Sequence, residues 1–306
     1  MAKPDWLKVR LETAGKFAET SKALFELGLS TVCDGAHCPN KCECWGKGTA
    51  TFMVLGEACT RRCGFCTVKN GVMERPDETE PERLAQAVSR LRLNYVVVTS
   101  VTRDDLPDGG AAHFARCVEE AKKAKAIVEV LIPDFSGRIE SLRLVVDAGP
   151  HVLGHNIETV RELTGKVRDP RAGYETSLSV LRMSKRLNPE IKTKSSLMLG
   201  LGESREQVVR TMKDLREAKV DILTLGQYLR PSDRQVPVER YVPPKEFAEL
   251  KEVAEKMGFA CSAGPFVRSS YMAKEMFEKC GGSGTDDVRR ERGRLATASE
   301  RAHRGF

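Results

Sequence analysis

From about residue 50 onward, short β-rich runs alternate with longer amphipathic helical patterns, and this alternation restricts the fold more than any other feature of the chain. The strand candidates are TFMVLG, NYVVVTS, IVEVLIP, HVLGHN, TKSSLMLGL and DILTLGQ. Between them, Leu84, Val88 and Leu91 form an apolar stripe at helical spacing, with Pro81 in the first turn and a capping box expected from Thr79 to Glu82. Ser204 to Gln207 repeats the device ahead of Val208, Met212 and Leu215, and Pro243 and Pro244 open a further helix that Gly258 is placed to stop. Strands that alternate with helices predict a parallel sheet, and chemistry in such sheets gathers at the C-terminal strand ends. Six units suit an open doubly wound sheet or a full or partial barrel, and the pattern alone does not choose between them.

Residues 1–50 stand outside the alternation, with one helical stretch from Ala14 to Leu27 and then a cysteine-rich loop. They read as an added lid or cap. The last segment, 281–306, opens with Gly and Ser, is rich in arginine and is nearly free of large apolar residues, so a flexible basic tail is expected there. No run approaches the roughly 18 apolar residues of a membrane helix, and the first 20 residues lack the apolar core of a signal peptide. A membrane location is therefore not expected and a cytoplasmic one is. The net charge of +7 is spread along the chain and points to no nucleic-acid partner.

In a reducing compartment ten cysteines are metal ligands or thiols before they are disulfides, and seven of the ten fall between residues 33 and 66. Cys59-Thr-Arg-Arg-Cys63-Gly-Phe-Cys66 follows the first strand directly. Three thiolates on such a loop hold three irons of a cubane and leave the fourth iron open to bind and reduce a small molecule. The competing reading is a zinc site, although structural zinc prefers four ligands and paired C-x2-C spacings. Cys117, Cys261 and Cys280 lie in helical or strand patterns and read as small buried hydrophobes. His155 should point away from Asn156 and be packed, and His37 is given no ligand role.

C-x3-C-x2-C with an aromatic residue before its last cysteine, after the first strand of an α/β chain, resembles the radical S-adenosylmethionine (SAM) superfamily. The second set, Cys33, Cys38 and Cys44 in C-x4-C-x5-C spacing, followed by Trp45-Gly46, resembles the lipoyl synthase family within it. VVTSVTRDDLPDGGA, VLIPDF, VLGHNIETV, TKSSLMLGLGE, QYLRPS, PVERYV and GPFVRSSY extend the likeness over residues 30–275. The resemblance implies a partial (β/α)6 TIM-type barrel over residues 51–262. The N-terminal extension 1–50 and the C-terminal segment 263–280 would lie over its mouth.

The resemblance implies two [4Fe-4S] clusters. One, on Cys59, Cys63 and Cys66, binds SAM; the auxiliary one is held by Cys33, Cys38, Cys44 and Ser270 of Arg268-Ser269-Ser270-Tyr271. Read without it, Ser269 or Ser270 simply caps the following helix, from Tyr271 to Cys280. Cys42 departs from the family pattern and reads as a bystander beside Cys44. Asp108, Gly109 and Gly110, with Asn156 and Glu158, would contact SAM, while Lys194, Arg230 and Arg268 would border substrate or cluster. An ordinary turn and a helix cap are the plainer readings of Asp108-Gly109-Gly110 and of Asn156.

The implied reaction inserts two sulfurs, at C6 and C8, into an octanoyl chain on a lysine of a lipoyl carrier, either a glycine-cleavage H protein or an E2 lipoyl domain. The auxiliary cluster supplies the sulfur, so an electron donor and a cluster-repair protein are further partners. A biotin synthase or a tRNA methylthiotransferase shares only C-x3-C-x2-C. A zinc-stabilised nucleic-acid binder would predict zinc and no SAM cleavage.

Overall fold

The computed structural model describes residues 4–7, 15–35, 38, 40–46 and 49–282. The tail 283–306 and His37 lie outside the described residues. All six expected strands form: β2 (Thr49–Val54), β3 (Tyr95–Ser100), β4 (Ile127–Leu131), β5 (Val152–Gly154), β6 (Lys192–Leu199) and β7 (Ile222–Gln227). Two more join them, a two-residue β1 (Ser30–Thr31) antiparallel to β2 and a final β8 (Ala260–Gly264) parallel to β7. The strands lie in sequence order and β8 does not pair back to β2, so the sheet is an unclosed barrel.

The helices are α1 (Gly15–Glu26), α2 (Val32–Gly35), α3 (Lys41–Gly46), α4 (Glu80–Arg90), α5 (Ala111–Lys123), α6 (Ile139–Asp147), α7 (Thr164–Val167), α8 (Tyr174–Leu187), α9 (Arg205–Glu217), α10 (Pro244–Lys256) and α11 (Ala273–Lys279). Side chains alternate across each strand. Val96, Val98, Val128 and Val130 face outward, onto Leu84 and Val88 of α4 and Phe114 and Val118 of α5. Leu197, Leu199, Leu223 and Leu225 do the same against Met212 and Leu215 of α9 and Phe247 and Leu250 of α10. Each such buried side chain contributes roughly 1.5–3 kcal/mol, and these two outer cores are what holds the strand ends in place.

The C-terminal segment reaches the end of the barrel opposite the cysteine loop. After β8 it crosses the inner wall, and α11 then sets Ala273, Met276 and Phe277 against Tyr95, Val97, Ile127, Val152 and Ile222 near the N-terminal strand ends. The Phe277 ring lies tilted at 6.1 Å from Tyr95 and edge-on at 6.2 Å from His151. The barrel is thereby plugged from below by its own chain.

The Ser204 capping box forms, with the Ser204 hydroxyl accepting from the Gln207 N–H at 3.3 Å and the Gln207 side chain accepting from the Ser204 N–H at 2.8 Å. The one expected at Thr79 does not. Asp77, two residues earlier, captures both the Thr79 hydroxyl at 2.7 Å and its N–H at 2.9 Å, while Glu82 pairs with Arg116. Pro81 is in the first turn as expected. Cys117 and Cys261 are buried, whereas Cys280, at the end of α11 beside the Asp221 carbonyl, is half-buried.

His155 is buried, with ring nitrogens 2.9 Å from the Ile132 carbonyl and 2.9 Å from the Ser177 hydroxyl. Burial, reinforced by the Arg168 charge, lowers its pKa from 6.5 to about 4. The unfolded chain therefore binds the proton first as pH falls, and stability present above about pH 6.5 is lost on the way down to about pH 4. About 3 kcal/mol is expected from this residue. Urea midpoints across that range should fall more steeply for the natural chain than for His155→Gln; parallel curves would refute the assignment.

Candidate active site

The loop that carries Cys59, Cys63 and Cys66 leaves the C-terminal end of β2 and is pinned at almost every residue. Cys59 donates its N–H to the Lys69 carbonyl at 2.9 Å, Gly64 donates to the Val167 carbonyl at 2.8 Å, and the Gln235 amide donates to the Cys66 carbonyl at 3.1 Å. Each sulfur in turn accepts a backbone N–H: Cys59 from Arg61 at 3.4 Å, Cys63 from Asp169 at 3.4 Å and Cys66 from Val68 at 3.5 Å. Hydrogen bonds of this kind tune cluster potentials. Burial pushes the Cys63 thiol up and the Cys66 thiol up to about 11, so a bound cation is needed to hold both as thiolates at neutral pH.

The donor set fits a cubane. Among the described residues no three His, Cys, Asp or Glu side chains gather as a single metal ion would require. A cubane makes no such demand, since each thiolate binds a different iron.

Around this loop lies a charge network that sequence reading does not show. Arg61, buried, holds Asp104 and Asp134, and Arg171 bridges Asp104 and Asp169. Burial alone would raise the Asp104 and Asp134 carboxyls, but hydrogen bonds from Arg61 outweigh it and hold both below the usual carboxylate range. Arg171 does the same for Asp169, whose other oxygen accepts the Arg62 N–H at 2.8 Å. The only sequence signal was the Arg-Arg pair inside the cysteine motif. Arg62 is exposed, and nothing local says which arginine turns inward.

The two terminal extensions meet beside the barrel's open edge. Cys33 is buried, and Cys38 and Cys44 are half-buried on the loop and helix that lead into β2. The Asn40 amide donates to the Phe266 carbonyl at 2.6 Å, and the Tyr271 hydroxyl lies 3.2 Å from Glu43. Arg268 is half-buried; burial lowers its pKa, and the Cys38 thiol acts in the opposite sense. Ser270 is half-buried in the same segment. The N-cap of α11 is Met272 and not a serine, so the capping reading of Ser269 and Ser270 is not realised.

The remaining candidates separate. Asp108 spends both oxygens on the N-terminus of α5, accepting from Gly110 and Ala112 at 2.8 Å each. Gly109 and Gly110 sit at φ 67° and 86°, where a side chain would be strained, and are packed under Phe135 and Leu55. Asn156 hydrogen-bonds Glu158, whose carboxyl is raised by burial and which also acts on Cys63 and Cys66, so this pair faces the cysteine loop. Arg230 closes its own turn through the Asp233 and Gln235 carbonyls. Lys194 points into the barrel below the site, 2.7 Å from Glu129.

The radical SAM superfamily matches residues 53–215. A lipoyl synthase of Methanocella arvoryzae is 55% identical over 279 residues, covering 90% of this chain and 94% of that one. The lipoyl synthase of Pyrobaculum arsenaticum is 53% identical over 283 residues, 90% of this chain and 95% of that one, and that of Symbiobacterium thermophilum is 52% identical over 276 residues, with coverages of 89% and 86%. Among solved structures, methylornithine synthase (PylB) superposes with a TM-score of 0.53 at 14% identity, over 83% of this chain and 72% of that one. The hydrogenase maturase HydG gives 0.55 at 14% identity, over 69% and 49%. These two speak for the fold alone, an unclosed TIM-type α/β barrel. The 50-odd per cent identities along nearly the whole chain, together with both cysteine sets, settle the rest: the chain belongs to the lipoyl synthase family of radical SAM enzymes.

Proposed function

We propose that the chain inserts sulfur at C6 and C8 of an octanoyl group amide-linked to a lysine of a lipoyl carrier protein. The auxiliary cluster is consumed as the sulfur-donating substrate. The observation that carries the reading is the contact of Asn40 and Glu43, which lie between Cys38 and Cys44, with Phe266 and Tyr271, which flank Ser270.

With its cluster and SAM bound, the site supplies a 5′-deoxyadenosyl radical strong enough to take hydrogen from unactivated carbon. The residues divide the remaining work. Cys59, Cys63 and Cys66 hold the SAM cluster, and the three N–H···S bonds set its electronic environment. Asn156 and Glu158 orient SAM, and the backbone of Gly109 and Gly110 forms its wall, with Asp108 acting on that wall through the cap of α5. Cys33, Cys38, Cys44 and Ser270 hold the auxiliary cluster, with Arg268 beside it. Lys194 and Arg230 act through structure. Carriers are glycine-cleavage H protein or E2 lipoyl domains, served by an electron donor and a cluster-repair protein in the cytoplasm. No helix among the described residues is long and apolar enough to cross a membrane.

The test is mass spectrometry of an octanoyl-lysyl peptide after anaerobic incubation with reconstituted protein, SAM and a strong reductant. A gain of two sulfurs is expected. Release of 5′-deoxyadenosine from an unchanged peptide would remove the substrate assignment, and absence of both after verified cluster assembly would remove the reaction.

A serine alkoxide is a harder and less durable ligand for iron than a thiolate, which suits a cluster that must come apart. Ser270→Cys is therefore expected to keep the auxiliary cluster and to stop full insertion. Unchanged yield of the doubly thiolated peptide would show that the hydroxyl has no such part.

A further inference from the structure

The cysteine loop has an anchor that is not a cysteine. The Arg61 guanidinium donates to Asp104 from Nε at 3.0 Å and Nη2 at 2.9 Å, and to Asp134 from Nη1 at 2.6 Å and Nη2 at 2.7 Å. A planar fork chelated on two sides is the geometry that arginine, and no other side chain, can satisfy. Asp104 lies on the loop after β3 and also accepts the Thr60 hydroxyl at 2.9 Å. Asp134 lies on the loop after β4 and accepts the Ser136 N–H at 2.9 Å. That last bond opens a turn with two consecutive non-glycine residues at positive φ, Phe135 at 47° and Ser136 at 54°, a strained arrangement that persists only where its surroundings impose it. The Phe135 ring then lies against Gly109, 3.1 Å from where a Cβ would stand. On the other side the Asn70 amide donates to the Cys59 and Arg61 carbonyls at 2.8 Å each.

Every one of these bonds joins protein atoms to protein atoms and needs no metal. We propose that Arg61 is a positioning residue which, by chelating Asp104 and Asp134 at once, fixes the Cys59–Cys66 loop in its cluster-binding form in the metal-free protein and ties it to the turn at Gly109. The inference rests on the assignment of these cysteines to a cluster. It makes the SAM-cluster site unlike a zinc finger, where binding and folding are one event.

Hydrogen exchange of the metal-free full chain tests it. Amides of residues 59–66 are expected to exchange at least 10²-fold more slowly than in an unstructured peptide. Arg61→Lys keeps the charge and loses the fork; Asp134→Asn keeps the shape and loses the charge. Either is expected to speed exchange across 59–66 and 134–137 at least tenfold, to leave β6, β7 and β8 unchanged, and to slow iron uptake on reconstitution. Free exchange of the loop in the unsubstituted apoprotein would overturn the proposal. So would full protection in Arg61→Lys, or faster exchange spread evenly over β6 to β8. A protected loop that takes up no iron and sulfide would instead sink the cluster assignment and leave the clamp standing.

Discussion

A Gly226→Ala variant is expected to go on cleaving SAM while its sulfur insertion falls by about 10²-fold. Gly226 faces the inside of the barrel on β7, and the chain that follows β8 passes directly over it. A methyl group placed there would overlap the Val267 carbonyl oxygen and come to 3.1 Å from its carbon. That neighbour is backbone and cannot rotate away, so the segment must lift. Val267 is followed by Arg268, Ser269 and Ser270, and preceded by Phe266, whose carbonyl accepts from Asn40. Lifting it therefore moves the proposed serine ligand away from Cys33, Cys38 and Cys44. The loop of Cys59, Cys63 and Cys66 is held by Lys69, Val167, Asp104 and Gln235 instead, and none of these contacts passes through Gly226. The two half-reactions should come apart, with a fold cost of about 1–3 kcal/mol from overpacking. The measurement is the ratio of 5′-deoxyadenosine to thiolated peptide by mass spectrometry. A ratio equal to that of the unsubstituted protein would show that close passage over Gly226 does not position the C-terminal segment.

The elements legible in the sequence are those whose stability is local. YVVVTS and IVEVL declare themselves through β-branched residues buried on both faces, as strands sandwiched between helices and a filled lumen must be. β8, Ala-Cys-Ser-Ala-Gly, does not. Its small residues leave room on the inner wall for residues 265–268, so the reason it lacks a strand signal is a contact with chain not yet reached in the sequence. β1 is too short to have a pattern at all. The same division runs through the site. Both cysteine sets are compact in sequence and can be read directly, whereas Arg61 finds its partners 43 and 73 residues away and Arg62 finds Asp169 at 107. Carboxylates at such distances look like any solvated acid until the fold brings them together. Capping shows the limit within one device: Ser204 and Thr79 head equivalent motifs, and only an aspartate two residues upstream diverts the second.

Lys194→Met is expected to destabilise the fold by about 3–5 kcal/mol. Lys194 and Glu129 stand in the barrel interior with side chains 2% and 3% exposed, 2.7 Å apart. The second Glu129 oxygen accepts the Tyr95 hydroxyl at 2.6 Å. A pair so enclosed adds little over a well-packed apolar pair, because the cost of desolvating two charges cancels most of their attraction. Removing one partner is different, since the remaining carboxylate keeps its desolvation cost and has only a phenol to answer it. One consequence separates this from loss of packing. The Lys194→Met/Glu129→Gln double variant keeps an acceptor for Tyr95 and no orphan charge, so it should be more stable than Lys194→Met alone, an interaction that a simple cavity would not produce. Denaturant unfolding of the three proteins decides it: a double variant less stable than the single one would mean that the pair serves to fill space and that its charges are incidental.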